Sequence, residues 1–449
     1  MANEPFAVQI IRREKIKPSS PTPHHLKTFK LSLLDQMTPD LYIPLSLFYP
    51  FSSTELPHLQ EATEIAAKRS LHLRKSLSET LTHFYPFAGR IKNNLEIECN
   101  DEGAQFIEAQ VNCSISEILK QPDSETIKQF LPIETDLKHA VINGCLLVIQ
   151  VSHFEDGGIA LGLSVSHKIT DASTLSMLIN SWATTCLGSG QSLVPKFGAE
   201  FLFPPLSDSK STSSDIFAAE LVEEKCTTRR FVFDAEKIAL LRSKSASEIV
   251  KNPTRVEAIS ALIWKCAMQA SRSNSGVHRP SVCFQSMNIR PRVAPPLPKN
   301  FAGNFVAGYF ATNKEEDKIR ESDHLQSLVT KFRKGIKEVE EKYAKRDGWK
   351  EGMQVLQEYG NLVKNDGIDN YIFTSWCRFS LYESDFGWGK PAWLCNANLV
   401  PKNTIILMDT RDGDGIEAWL TLKVEEMALF ESNQELLSFA FLNPSVVWN

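Results

Sequence analysis

His167 and Asp171 are the side chains whose types and spacing in this sequence best suit catalysis. His167 follows residues 159–166, which alternate as a strand does, and it precedes an apolar stripe at helical spacing formed by Leu175, Leu178, Ile179 and Trp182. A histidine at such a turn is held by the strand and remains accessible from outside. Because unperturbed histidine has a pKa of about 6.5, it is largely neutral near pH 7 and can accept a proton. The pattern therefore predicts His167 as a general base.

The same pattern also has a purely structural interpretation. In a chain with 10 histidines, a His-x-x-x-Asp string is expected by chance about half a time. In this interpretation Asp171 caps the N-terminus of the following helix, and His167 is a hydrogen-bonded residue of the core. The residues of this segment alone leave both interpretations open.

A second cluster lies near the C-terminal end of the sequence. Residues 384–391 contain two glycines and two aromatic residues and end in a proline, and their centre consists of Asp385, Phe386, Gly387, Trp388 and Gly389. Glycine and proline favour a tight turn, and the aromatic rings are suited to anchoring it. We therefore expect this loop to be structural.

Signatures of several other chemistries are missing from the sequence. Residues 162–166 lack the closing glycine of a serine-nucleophile elbow, and there is no Walker loop, dinucleotide-binding glycine pattern or His-Glu-x-x-His string. The 9 cysteines include no Cys-x-x-Cys pair, which favours buried thiols in a reducing compartment over a zinc site. We expect no bound metal and no cofactor.

Charge and hydropathy narrow the range of partners. The net charge of −5 argues against a nucleic-acid partner, which would require a basic face. The sequence has no apolar stretch long enough for a signal peptide or a membrane span. We expect a cytoplasmic protein that has no membrane partner and acts as a monomer.

The length and composition indicate two domains. A chain of 449 residues exceeds the usual size of one core, and a segment rich in Ser, Pro and Gly between residues 188 and 224 divides it almost in half. We predict an N-terminal domain over residues 1–195, a crossover loop over 196–225 and a C-terminal domain over 226–449. Both halves mix strand and helix patterns, which favours an α/β sandwich in each. Predicted strands cover residues 146–151, 159–165, 282–289, 305–312, 404–408 and 416–422, a predicted helix covers 256–270, and a predicted hairpin covers 95–109.

The two clusters together resemble the marks of the plant BAHD acyltransferase family, which are His-x-x-x-Asp at mid-chain and Asp-Phe-Gly-Trp-Gly near the C-terminus. Nearly the whole chain is similar to the family. The sequences of residues 373–378 and 385–391 are most similar to the branch of the family that acetylates alkaloids and other specialised metabolites. The resemblance implies two similar chloramphenicol-acetyltransferase-like α/β sandwich domains, joined by the crossover loop, with an active-site channel between them. Further similar segments are residues 18–23, 31–36, 85–90, 288–290, 374–378 and 408–410.

The resemblance also implies a function. It is that of an acyl-CoA-dependent O-acyltransferase, with acetyl-CoA as the expected co-substrate and the hydroxyl of a plant alkaloid, terpenoid or sugar ester as acceptor. His167 is then the general base, while Asp171 is structural and pairs with Arg290. Trp376 and Thr374 become candidates to stabilise the oxyanion. Two alternatives remain open, namely acylation of an amine and a non-catalytic binding protein of the same fold.

Overall fold

The computed structural model describes residues 6–51, 59–93, 95–132, 144–188, 190, 192–206, 225–313, 325–345, 348–364, 367–396 and 401–448. Residues 207–224 of the predicted crossover loop lie outside the described residues. The strands are β1 Val8–Ile16, β2 Thr28–Lys30, β3 Tyr42–Tyr49, β4 Arg90–Asn93, β5 Glu96–Glu98, β6 Ala104–Val111, β7 Leu147–Phe154, β8 Ile159–Ser166, β9 Cys226–Phe233, β10 Ser281–Asn288, β11 Val306–Asn313, β12 Asp369–Ser375, β13 Trp393–Cys395, β14 Thr404–Asp409, β15 Ile416–Lys423 and β16 Phe441–Leu442. The helices are α1 Leu33–Met37, α2 Leu59–His83, α3 Ile115–Lys120, α4 Ser124–Lys128, α5 Ala172–Leu187, α6 Ala199–Leu202, α7 Ala235–Ser245, α8 Arg255–Ser275, α9 Leu325–Tyr343, α10 Gly348–Val363, α11 Val424–Glu431 and α12 Gln434–Phe439.

The first half of the chain forms a mixed sheet. Its strand order among the described residues is β1-β6-β7-β8-β3-β13, with β6 parallel to β7 and the other pairs antiparallel. Every residue of β3, β7 and β8 is buried, which accounts for their nearly continuous apolar sequences. Helices α2 and α5 pack against each other, and Leu73, Leu77 and Leu81 present one buried face of α2.

The second half forms a separate mixed sheet. Its described strands follow the order β11-β10-β12-β14-β15-β9-β16, and β12 runs parallel to both β10 and β14. Helix α8 is buried along most of its length and begins with a capping box between Thr254 and Glu257. The predicted architecture of two mixed α/β domains is confirmed.

Each half contributes a segment to the core of the other. Helix α1 precedes β3 in the first half of the sequence. Its residues Leu33, Leu34 and Met37 nevertheless pack into the apolar core of the second half. Conversely, β13 pairs with β3, and the segment 376–396 around it packs into the core of the first half. The predicted division at residues 196–225 therefore does not describe these two segments, because local sequence shows an apolar face without showing which sheet receives it.

The predicted hairpin over residues 95–109 is wrong. Strand β5 pairs with β2 and β4 in a small separate sheet, whereas β6 pairs with β1 and β7. The chain turns between them at Asp101 and Gly103, whose φ angles are 59° and 93°. The Asp101 carboxylate accepts hydrogen bonds from Thr22 and Lys27, so long-range contacts stabilise the turn and direct the two strands into different sheets.

Two further features of the described residues bear on function. No helix among them has the length and apolar character needed to cross a bilayer. They also contain no group of three or more His, Cys, Asp or Glu residues arranged to hold a metal ion.

Candidate active site

A cavity of about 450 Å³ lies between the two sheets. The first half contributes residues 37–44 and His167 to its wall, and the second half contributes residues from β10, β11, β12 and β14. Most of the lining side chains are apolar. A largely apolar cleft with some polar groups in its wall is typical of a site for a small organic substrate.

His167 lies where β8 ends and its ring lines this cavity. Its backbone N–H donates to the carbonyl of Leu41 at 2.8 Å, which continues the pairing of β8 with β3. Burial lowers the pKa of His167, and the nearby Asp171 partly opposes that shift. The imidazole is therefore neutral at pH 7 and able to accept a proton.

Asn304, which the sequence analysis did not identify, contacts the His167 ring, and the backbone of residues 167 and 170 also hydrogen-bonds to that ring. The Asn304 Nδ2 donates to the carbonyl oxygen of His167 at 2.7 Å and to Asp35 Oδ1 at 2.9 Å. With both amide hydrogens used, Asn304 Oδ1 faces His167 Nδ1 at 3.2 Å. That oxygen is an acceptor only, so Nδ1 carries the ring proton and Nε2 keeps its lone pair. This is the tautomer that a general base requires.

One sequence signal for Asn304 is its setting between aromatic residues. Phe301 and Phe305 enclose a short polar break, in which Gly303 has a φ angle of 131° and Asn304 follows it. A backbone of this kind favours glycine and turns the chain sharply. The turn directs the Gly303 carbonyl towards Arg290 and the Asn304 amide towards His167.

Asp171 and Arg290 form the predicted pair between the two halves. Arg290 Nη1 lies 2.6 Å from Asp171 Oδ2, and Arg290 Nη2 lies 3.1 Å from Asp171 Oδ1. Both side chains are buried. The carboxylate also accepts the backbone N–H of Thr174 at 2.8 Å and that of Phe305 at 3.0 Å. Asp171 thus caps the N-terminus of α5 and also forms the ion pair with Arg290 that the family resemblance implies.

The surroundings of this pair explain its charge state. Burial would raise the pKa of Asp171, but Arg290 and the two backbone donors lower it below its ordinary value. Arg290 is in turn held by the carbonyls of Phe301 and Gly303 and stacks on the ring of Phe305 at 4.7 Å. The hydrogen bonds of the Asp171 carboxylate thus go to Arg290, Thr174 and Phe305. The His167 ring is instead bonded to Asn304 and to the backbone of residues 167 and 170.

Thr374 and Trp376 line the same cavity as His167. Thr374 lies on β12, and the backbone N–H of Trp376 donates to Leu407 at 2.7 Å, which extends the contact between β12 and β14. The structure thus brings both oxyanion candidates to the wall opposite the first sheet. Their role in catalysis stays a prediction.

The loop formed by residues 384–391 lies apart from the cavity lining. Asp385 Oδ1 accepts the backbone N–H of Gly387 at 2.8 Å and that of Gly389 at 3.0 Å, which closes the turn. Phe386 contacts Trp182 edge to face at 5.0 Å and stacks on Trp388 at 5.8 Å. These contacts anchor the loop on the first half and favour the structural role expected for it.

Comparison with known proteins agrees with this architecture. A model of the Transferase family matches residues 6–437. The chain is 39% identical over 438 residues to akuammiline synthase 1 from Alstonia scholaris, covering 97% of this chain and 98% of that protein. It is also 39% identical over 455 residues to the epi-neemfruitin B 7-O-acetyltransferase of Melia azedarach, covering 97% and 99% of the two chains.

Solved structures are also similar to this chain. The crystal structure of vinorine synthase matches with a TM-score of 0.82 and 35% identity, over 98% of this chain and 99% of that one. A more distant structure, F. sporotrichioides TRI101 complexed with coenzyme A and T-2, shares the fold with a TM-score of 0.74 and 16% identity, over 92% and 99% of the two chains. The similarity in sequence and the similarity in structure together establish the family of this chain. The chain belongs to the Transferase family and, within it, to the BAHD acyltransferases.

Proposed function

We propose that this protein transfers an acyl group, most simply acetyl, from coenzyme A to a hydroxyl of a plant specialised metabolite. The observation that carries the proposal is the His167 ring, which lines a cavity between the two sheets while Asn304 holds its proton on Nδ1. An acyl-CoA thioester is already activated, so the reaction needs a base and an oxyanion site but no resident cofactor.

In the proposed mechanism the acceptor hydroxyl lies against His167 Nε2. As the hydroxyl oxygen attacks the thioester carbonyl, Nε2 takes its proton and a tetrahedral oxyanion forms. The indole N–H of Trp376 and the hydroxyl of Thr374 are the proposed donors to that oxyanion. When the intermediate collapses, the carbon–sulfur bond breaks and the imidazolium returns its proton to the departing thiolate. The ester and free coenzyme A are the products, and no covalent enzyme intermediate is formed.

The cavity lining supports an apolar acceptor and an uncharged acyl group. Among the described lining residues none is Lys or Arg, and the acidic side chains are Asp40 and the paired Asp171. An anionic acceptor or acyl group placed in this cavity would lose its hydration without gaining a cationic partner. Relatives named as O-acetyltransferases include the epi-neemfruitin B 7-O-acetyltransferase of Melia azedarach and a limonoid 7-O-acetyltransferase of Citrus sinensis. We infer a bulky, largely apolar alcohol as the acceptor for this chain.

The proposal can be tested with purified protein and acetyl-CoA. A panel of alkaloid and terpenoid alcohols, each matched with an amine of similar shape, is incubated and read by thiol release and by mass spectrometry of the product. We expect ester formation with at least one alcohol. Amide formation alone would point to N-acyl transfer, whereas saturable acceptor binding without any product would point to a non-catalytic protein.

A matched variant keeps the assay specific. His167→Gln removes the base while retaining a polar side chain of similar length, so thiol release that persists in this variant is not catalysis by His167. Size-exclusion chromatography of the same preparation also tests the proposed monomer. Replacing acetyl-CoA by malonyl-CoA tests the inference about charge, because the malonyl carboxylate finds no Lys or Arg among the described lining residues.

A further inference from the structure

Asp35 is a buried carboxylate that the mechanism above does not use. It lies in α1 and is 1% exposed. Its Oδ2 accepts hydrogen bonds from the backbone N–H of Ser32 at 2.9 Å and from the Ser32 hydroxyl at 2.7 Å. Its Oδ1 accepts hydrogen bonds from the backbone N–H and the side-chain Nδ2 of Asn304, at 3.1 and 2.9 Å. The carboxylate therefore lies directly behind the residue that contacts His167.

The pattern of donors defines the charge of Asp35. Burial raises the pKa of this carboxyl, and the hydrogen bonds from Ser32 and Asn304 oppose that rise. Three of the four contacts come from N–H groups, which can only donate, and the fourth comes from the Ser32 hydroxyl, which can donate or accept. The ionised form is the one that these contacts satisfy.

We propose that Asp35 is a positioning residue of the acyl-transfer site, which fixes the Asn304 amide so that its oxygen accepts the Nδ1 proton of His167 and which places a negative charge behind the imidazole. The inference rests on the proposed function of His167 as base. It adds a carboxylate that acts on the histidine through an amide and not by direct contact. The order of side chains is Asp35, then Asn304, then His167.

Two consequences of this arrangement concern the reaction. If the Asn304 amide turned over, its Nδ2 would face Nδ1 and favour the proton on Nε2, where it would block the base; Asp35 prevents this because it accepts from Nδ2. As Nε2 gains the hydroxyl proton, the ring becomes cationic, and the carboxylate stabilises that charge through the polarised amide.

The other charges around His167 are already paired or distant from its Nδ1 side. Asp171 is paired with Arg290 on the side of α5. Lys168 is 4% exposed and donates to the carbonyls of Gln36 and Thr38. Burial lowers the pKa of its ammonium, and Asp40, which is exposed at the cavity rim, and Asp35 partly oppose that shift. Asp35 is thus the carboxylate joined to the Nδ1 face of His167 through one intervening side chain.

Asp35→Asn tests the proposal because it removes the charge with little change in volume. We expect kcat/KM to fall about 10-fold to 100-fold, the range found for residues that orient metal-ligating histidines from one shell further out. KM should change less than about twofold, because Asp35 does not line the cavity. The acid limb of kcat/KM should move to lower pH by about half a unit or more, because loss of a nearby anion disfavours the imidazolium.

A double-mutant cycle provides the second test. In this proposal Asp35 acts through the Asn304 amide, so Asp35→Asn should change kcat/KM and the acid limb little in an Asn304→Ala background, where that amide is absent. A loss in this background as large as the loss that Asp35→Asn causes alone would overturn the proposal.

Asp156→Asn is the matched control. Asp156 is also a partly buried carboxylate that accepts backbone hydrogen bonds, from Ile115 at 3.0 Å and Gly158 at 3.1 Å, but it is not among the cavity-lining residues. It should lower Tm without moving the acid limb. If Asp35→Asn lowers activity only in proportion to its Tm, as this control does, Asp35 is merely structural and the proposal fails.

A readout without substrate separates this proposal from the proposed function. Nuclear magnetic resonance of isotope-labelled histidine reports the tautomer and pKa of His167, whose signal is the one missing from His167→Gln. We expect the Nδ1-protonated tautomer in the unmodified protein and a lower pKa in Asp35→Asn. That result in a protein without transferase activity would retain the positioning role and reject the function, whereas an unchanged tautomer and pKa would reject the positioning role.

Discussion

Helix α1 and the segment 376–396 cross between the halves in opposite directions, and they differ in what they contribute. Helix α1 packs into the second core through apolar residues and presents one carboxylate, Asp35, to the site. The segment 376–396 packs into the first core almost entirely through aromatic and aliphatic side chains around Phe386 and Trp393. The first is a polar link behind the base, whereas the second is an apolar anchor. The first crossing segment thus places a carboxylate behind the base, whereas the second provides mainly cohesion and also brings Trp376 to the cavity.

Among the polar contacts of this segment, one joins it to the second sheet through residues that do not line the cavity. The Trp393 indole N–H donates to Glu417, which forms a buried bidentate pair with Arg230 at 2.7 Å. Arg230 also lies over the Trp393 ring at 5.1 Å. This pair fastens β13 to the second sheet, while the Asp171–Arg290 pair fastens α5 to the same half beside the base. Substitutions in the two regions should therefore have different signatures.

The largest effect on the catalytic rate is expected from His167→Ala, and the other variants are compared with it. Loss of a general base costs about 10²- to 10⁴-fold in rate. Steady-state kinetics should show that loss while circular dichroism and Tm remain near those of the unmodified protein. A correctly folded variant that keeps more than about a tenth of the activity would remove His167 from the role of base.

Breaking the Asp171–Arg290 pair between the halves should lower stability and activity together. Asp171→Asn and Arg290→Met each leave a buried partner uncompensated, which costs about 3–5 kcal/mol of the free energy of unfolding. Urea denaturation followed by fluorescence measures this cost, and specific activity is compared on the folded fraction. Unequal phenotypes, with one variant stable and inactive, would mean that the residue acts directly in the reaction.

Truncation in the apolar anchor should lower stability while sparing chemistry. Phe386 is 2% exposed, so Phe386→Ala should cost about 3–5 kcal/mol. We expect the kcat of the molecules that remain folded to stay within about threefold of the unmodified value, because no residue of this loop is among those that line the cavity. Urea titration combined with assays at low temperature separates the two effects. A large loss of kcat at full stability would give the loop a direct role in the site.

The pH dependence of activity, which reports His167, should differ from the pH dependence of stability, which reports the Asp171–Arg290 pair. Burial lowers the pKa of His167, so activity is complete at pH 7 and is lost as pH falls through a pKa below about 6.5. The pKa of Asp171 is lowered as well, so its contribution to stability persists above its unfolded value of about 3.9 and is lost only as pH falls through the still lower folded value. Activity should thus decline in a pH range where Tm is still high. Coincident loss of both on acidification would contradict this order.

The smallest expected effect is that of metal chelation, which should be none. A thioester needs no Lewis acid, and oxyanion stabilisation is assigned to hydrogen-bond donors. Activity is measured after extended dialysis against EDTA and again after addition of Zn²⁺ or Mg²⁺. Activity that disappears and returns with the metal would require a different mechanism.

The sequence predicts the parts of the site that are local or that the family motif contains. His167, Asp171 and the following helix lie within one short stretch, so their periodicity indicates the strand, the turn and the cap. Arg290, Thr374 and Trp376 came from the resemblance, and the structure brings them to the same region. Asn304 is 137 residues from His167 and 269 from Asp35, and no pattern of spacing joins polar residues over such distances. Their association depends on how the two sheets face each other, which is a property of the whole fold.

The hairpin shows the same limit within the fold. The segment at residues 95–109 has the alternation and turn residues of two paired strands, yet contacts of Asp101 with residues near 22–27 send its two strands to different sheets. Strand pairing is decided by competition among distant partners, because an edge can pair with any available strand of suitable register. Local sequence therefore predicts where a strand lies, but it does not predict which strand pairs with it.

Strand β13 has a consequence for synthesis on the ribosome. Residue 48 of β3 pairs with residue 393, so the edge of the first sheet stays open until most of the chain has been made. At translation rates of about 5–20 residues per second, this interval lasts on the order of 20–70 s. During that time β3 exposes unpaired backbone groups and apolar surface, which is the condition under which nascent chains recruit chaperones or associate with one another. The completed enzyme is thus protected by its own last segments, and a truncated chain would emerge with this edge uncovered.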